Sequence, residues 1–110
     1  MQISITGRHF EVTDSVRKYV DEKIVRIEKF SRNISRVEVV LKADSRKFHC
    51  EFIMHVKGLD GIVIDVAHGE SMHAAIDLAL DKAEHQLSRH QEKILSRRRE
   101  KTDINEEPAQ

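Results

Sequence analysis

The apolar residues of this chain keep a period of two, then of about 3.6, then of two over three successive runs, then of about 3.6 again. That order narrows the fold more than any other feature. Ile3 and Ile5 alternate with Ser4 and Thr6 across Gln2 to Arg8, which predicts a strand that Gly7 ends or bulges. Val16, Tyr19, Val20, Ile24, Ile27 and Phe30 recur at helical spacing and predict one amphipathic helix from Asp14 to Phe30. Thr13 suits its N-cap, and Asp14 favours the positive end of the helix dipole. Polar Ser31 to Ser35 closes that element.

Three alternating runs follow, with Val37, Val39 and Leu41, then Phe48, Cys50, Phe52, Met54 and Val56, then Ile62, Ile64 and Val66 on their apolar sides. Their short connections predict antiparallel hairpins. Each run pairs a richly apolar face with a mixed one, so one side of the sheet should be covered and the other mostly wet. Met72, Ala75, Ile76, Ala79, Leu80, Ala83, Leu87 and Ile94 form the stripe of a second helix, with Ser71 as N-cap and an end near Arg99. The expected architecture is α+β, in the order β-α-β-β-β-α. Two helices pack on one face of a four-stranded sheet, and the first strand runs parallel to its neighbour.

One hundred and ten residues suit a single domain. We place it at residues 1–99, with residues 100–110 as a short acidic tail without regular structure. No apolar run reaches the ~18–20 residues of a membrane span, and the N-terminus lacks the pattern of a signal peptide. A single cysteine, Cys50, excludes an internal disulfide and a multi-cysteine zinc site. These features together predict a cytoplasmic protein. Pro108 is the one proline, so nothing upstream of it is barred from regular structure.

Nineteen Lys and Arg balance nineteen Asp and Glu, which at first argues against a nucleic-acid partner. Placement on helix faces changes that reading. Lys82, Gln86, Arg89, Lys93 and Arg97 follow one another at steps of four, three, four and four beside the apolar stripe of the last helix. Asp77, Asp81, Glu84 and Glu92 fall elsewhere around it. From Lys82 to Arg99 there are six Lys or Arg against two Glu. On the first helix Lys18, Arg26 and Lys29 share a side that Glu22 interrupts. A basic stripe along a helix is the footprint of phosphate contact, and the alternative is a solvated helix laced with ion pairs, although few acids here sit at the favoured spacing. His85 borders the stripe and can add charge as pH falls.

Other chemistry finds little support. The seven histidines show no metal-ligand spacing, so no metal and no cofactor are expected. Cys50 alternates inward with Phe48 and Phe52 and reads as a core residue. No glycine-rich loop or catalytic constellation points to an enzyme or to a small-molecule substrate. Tyr19 and Phe30 fall on the apolar stripe and read as core, not as stacking platforms.

Two stretches resemble a known family. Met1-Gln2-Ile3-Ser4-Ile5-Thr6-Gly7-Arg8, with Val12-Thr13-Asp14 and Arg17-Lys18-Tyr19-Val20, looks like the start of ribosome hibernation-promoting factors, also called ribosome-associated inhibitors or sigma modulation proteins. Ser71-Met72-His73-Ala74-Ala75-Ile76-Asp77, then Asp81-Lys82, Gln86-Leu87 and His90, resembles the family's last helix. The resemblance covers Met1 to about Lys93. It implies binding to the small ribosomal subunit in the messenger and transfer RNA channel, under stress or in stationary phase, with steric inhibition of translation and no chemistry. Ribosomal RNA and neighbouring ribosomal proteins would be the contacts, and the chain would be a monomer away from the ribosome. The family's basic positions map onto Lys23, Arg26, Lys82, Arg89 and Lys93, to which the charge pattern adds Lys18, Lys29, His85 and Arg97. His73 replaces the family's usual tyrosine, and His85 and Gln91 stand where several members carry Arg or Lys. The chain ends without the second domain of long members, which implies a short form.

Two rivals remain. A double-stranded RNA-binding module shares the α-β-β-β-α core, but the last helix here opens on Glu70-Ser71-Met72-His73, without lysines. A protein-binding modulator of transcription would use the mixed sheet face with Val40, Ile53 and Val63.

Overall fold

Alternation does produce the strands, and helical spacing the helices. In the computed structural model, which describes residues 1–58, 61–68 and 70–106 and the side chains through residue 93, the strands are β1 (Gln2–Arg8), β2 (Ile34–Ala43), β3 (Phe48–Val56) and β4 (Ile62–His68). They form one sheet in the order β1-β2-β3-β4. β1 pairs parallel to β2, and the other pairs are antiparallel. The helices are α1 (Asp14–Lys23) and α2 (Met72–Glu106). Both pack on one face of the sheet, as an α+β fold of this order requires.

The first helical stretch departs from expectation. It is α-helical only to Lys23 and continues as a 3-10 helix from Ile24 to Phe30. The sequence explains the change: Ile24, Ile27 and Phe30 are three residues apart, the repeat of a 3-10 helix, whereas Val16, Val20 and Ile24 are four apart. Ile24, Ile27 and Phe30 are all buried. Thr13 caps α1, its Oγ1 accepting from the Val16 amide at 3.2 Å, and Ser71 caps α2 in the same way, accepting from the Ala74 amide at 3.1 Å.

The core lies between the sheet and the two helices. Val37, Val39 and Leu41 of β2 meet Cys50, Phe52 and Met54 of β3, and Val20, Ile27, Ile76, Ala79 and Leu80 close over them, all fully buried. At Gly7 a Cβ would stand 2.1 Å from the Phe10 carbonyl oxygen. The chain therefore folds back tightly after β1, with His9 at φ 54°.

Two further expectations change. Val40, placed on the mixed face, is buried there, because β2 is a central strand and Thr6 and Glu51 flank it from either side. The last helix does not end near Arg99 but runs to Glu106, since no glycine or proline interrupts it. The segment expected to lack structure from residue 100 is thus helical to that point, and residues 107–110 lie outside the described ones.

Candidate nucleic-acid interface

Helix α2 carries its charges on opposite flanks. At ~100° per residue, Lys82, Arg89 and Lys93 lie within roughly 40° of one another, and Asp77, Asp81 and Glu84 centre roughly 130° away. The structure shows what each flank meets. The acidic flank faces α1 and the 3-10 helix. Tyr19 Oη donates to Asp77 Oδ1 at 2.6 Å, Arg26 Nη2 contacts Asp81 Oδ1 at 2.5 Å, and Glu84 takes Arg26 Nε at 3.4 Å and Lys29 Nζ at 3.7 Å. The 3-10 repeat eclipses positions three apart, so Arg26 and Lys29 both reach the same carboxylate.

These contacts set the protonation of the seam. The hydrogen bond to Asp77, followed by burial, pushes the Tyr19 phenol up to about 12. Asp81, by its hydrogen bond, holds the Arg26 guanidinium further toward its charged form against the opposing effect of burial. The Tyr19 ring also meets His73 edge-on, with centroids 4.2 Å apart, and carries Lys23 Nζ 5.5 Å from its centre.

The basic flank faces outward, toward the free edge of the sheet at β4. Lys82, His85, Arg89 and Lys93 are all exposed. Asp81, Lys82, His85 and Gln86 border a groove of about 450 Å³ whose apolar side is Ile64 of β4, so one carboxylate of the seam also reaches it. Leu78, 40 % exposed, lies one turn before Lys82 on the same flank.

The expected site residues therefore separate into groups. Lys82, His85, Arg89 and Lys93 form one surface with His85 at its margin. Arg26 and Lys29 are engaged by acids of α2, Lys23 lies over Tyr19, and Lys18 is exposed on α1. The side chain of Arg97 lies outside the described ones. The sequence reading missed Asp77, Asp81 and Glu84 as partners of the first helical stretch. The three-residue spacing of Ile24, Ile27 and Phe30, which Arg26 and Lys29 share, was the signal available for them. Among the described residues no three His, Cys, Asp or Glu side chains stand close enough to hold a metal ion. No helix there is long and apolar enough to cross a membrane.

A family model described as sigma 54 modulation protein / S30EA ribosomal protein matches residues 3–95. The chain belongs to this family. It is 41% identical over 97 residues to the ribosome hibernation promoting factor of Azotobacter vinelandii, covering 88% of this chain and 89% of that one. It is 36% identical over 94 residues to the factor of the same name from Escherichia coli K12, covering 86% and 97%. Among solved structures, the N-terminal domain of Thermus thermophilus Protein Y superposes with a TM-score of 0.73 at 30% identity, covering 82% of this chain and 99% of that domain. A ribosomal subunit interface protein from Coxiella burnetii gives 0.76 at 23% identity, over 83% and 98%, and shows the shared fold. The family's match runs from the second residue of β1 to residue 95 within α2 and includes Lys18 to Lys93.

Proposed function

We propose that this protein is a ribosome hibernation factor that binds the small ribosomal subunit in the channel of messenger and transfer RNA and blocks translation by occupying it. The observation that carries the reading is the split of charge on α2. Its Asp77, Asp81 and Glu84 are engaged by α1 and the 3-10 helix, while Lys82, Arg89 and Lys93 stand exposed on the opposite flank. Net neutrality then coexists with a local surface that suits a phosphate backbone. The names of its relatives support the ribosome as the target. The mechanism needs no catalysis: bound protein excludes messenger and transfer RNA by volume, and the site of action is the cytoplasm.

Because phosphate contacts release counterions, association with isolated small subunits should weaken steeply as salt rises. Sucrose-gradient profiles of stationary cells with and without the protein test the physiological role. Comigration with small subunits or whole ribosomes is expected, and absence from every ribosomal fraction would refute it.

A second reading, a protein-binding modulator of transcription, draws on the other half of the family's description and on Val63, which is 63 % exposed on the open sheet face. Capture of polymerase components without ribosomes would favour it.

A further inference from the structure

At the end of the sheet away from the start of α2 lies a cleft of about 460 Å³, with no α2 residue among its described lining. Arg32, Asn33, Ile34, Ser35, His55, Val56 and Lys57 line it. Two local features build it. The register between β2 and β3 shifts between Ile34 and Arg36, a bulge that leaves Ser35 out of the ladder. The two strand ends are then cross-braced, since the Lys57 amide donates to the Asn33 carbonyl at 2.7 Å and Ser35 Oγ donates to the His55 carbonyl at 3.3 Å. The Asn33 amide itself closes the turn by donating to the Phe30 carbonyl at 2.9 Å.

The chemistry of the lining is cationic and hydrogen-bonding. Arg32 and Lys57 are exposed and contribute from opposite sides of the bulge, one before β2 and the other after β3. Asn33 adds a neutral side-chain amide between them, while the Ser35 hydroxyl hydrogen is already given to the His55 carbonyl. Glu38, three residues beyond Ser35 on β2, is paired with Arg36 Nη2 at 2.6 Å and hydrogen-bonded with His55 Nε2 at 3.0 Å. Its hydrogen bond to His55 holds that carboxyl below the ordinary range.

We propose that this cleft binds a phosphate group, gripped by Arg32 and Lys57 with the Asn33 side-chain amide as a hydrogen-bond donor. Guanidinium and ammonium groups are the side chains that meet phosphate oxygens, and the braced bulge fixes the backbone from which Arg32 and Lys57 project. The phosphate can be free or part of an RNA strand. In the second case the site adds an anchor to the RNA-binding reading above and rests on it, and the protein grips RNA at two separate places.

The test uses the whole chain and two probes, inorganic phosphate and a single-stranded RNA twelve-mer. Amide chemical shifts are followed during a phosphate titration, and RNA affinity is followed by fluorescence anisotropy. Both are measured for the native protein, for Arg32→Gln with Lys57→Gln, and for Lys82→Glu with Arg89→Glu and Lys93→Glu. All five positions are exposed, and the amide spectrum of each variant reports whether the fold persists. Shifts confined to residues 32–35 and 55–57, lost in the Gln variant but kept in the Glu variant, establish the site for free phosphate, whatever becomes of the α2 reading. No shifts with phosphate, but RNA affinity about tenfold weaker in the Gln variant, establish that the phosphate belongs to RNA. Phosphate shifts and RNA affinity both unchanged by the Gln substitutions overturn the proposal, even where the Glu variant loses RNA.

Discussion

If the acids of α2 serve to hold the 3-10 helix, removing their charge should lower stability and raise RNA affinity together. The perturbation is Asp81→Asn with Glu84→Gln, which keeps volume and some hydrogen bonding while removing two negative charges. Three ion pairs depend on these carboxylates, at 2.5, 3.4 and 3.7 Å. Their side chains are between 31% and 61% exposed, so each is worth the modest value of a solvent-screened pair. At about 0.2–1 kcal/mol apiece the loss should total about 1–2 kcal/mol. For a domain near this size that is about 5–10 °C in Tm, read by calorimetry or circular dichroism. The loss should shrink at high salt, where the pairs are already screened. Arg26 and Lys29, released from Glu84 and Asp81, become free to meet phosphate. Anisotropy with single-stranded RNA at low salt should then show tighter binding, with a salt dependence steeper by ~0.7 per phosphate gained. An unchanged Tm would refute the seam. A lower Tm with weaker RNA binding would refute the claim that these acids mask cations.

Three other outcomes follow from the same structure. Tyr19→Phe removes the hydrogen bond to Asp77 and should cost about 1 kcal/mol in chemical denaturation. In the native protein the phenol should ionise near 12, so its contribution is present below pH 10 and lost as pH rises through about 12, readable by ultraviolet absorbance. Asp44 accepts from the Arg46 and Lys47 amides at 2.8 Å each and meets His49 at 3.0 Å; the Arg46 amide first, then His49, holds its carboxyl down at about 2. Its contribution is therefore present above the ordinary 3.8 and lost as pH falls through about 2, so Asp44→Ala should destabilise the protein near neutrality and not in strong acid. Phe52, with no exposed surface at the centre of the core, should cost about 3–5 kcal/mol as Phe52→Ala.

The legible parts of the fold were those set by local pattern. Period two in β1 to β4 and the capped stripes of α1 and α2 follow from which face must be buried, and the intervening helix gives β1 the long crossover that its parallel pairing with β2 needs. What the sequence concealed depends on contacts between distant residues. Tyr19 and Asp77 are 58 positions apart, as are Arg26 and Glu84, and periodicity on one helix does not say which flank another helix will cover. The 3-10 helix was hidden because a three-residue repeat also satisfies a loose helical pattern. Val40 lies on the expected mixed face, but its burial was hidden because alternation records the side a residue faces and not how closely its cross-strand neighbours stand. For the candidate site, the exposed row Lys82, Arg89 and Lys93 was readable from spacing. The engagement of Arg26 and Lys29 was not, and it moves the weight of the proposed interface onto α2.

That weight can be measured directly. Lys82→Glu with Arg89→Glu and Lys93→Glu changes three exposed residues on one flank of α2 and leaves the seam with α1 intact. In cosedimentation with purified small ribosomal subunits at low salt, the native protein should pellet with the subunit and the folded triple variant should remain in the supernatant. A triple variant that keeps its fold and still pellets like the native protein would contradict the account.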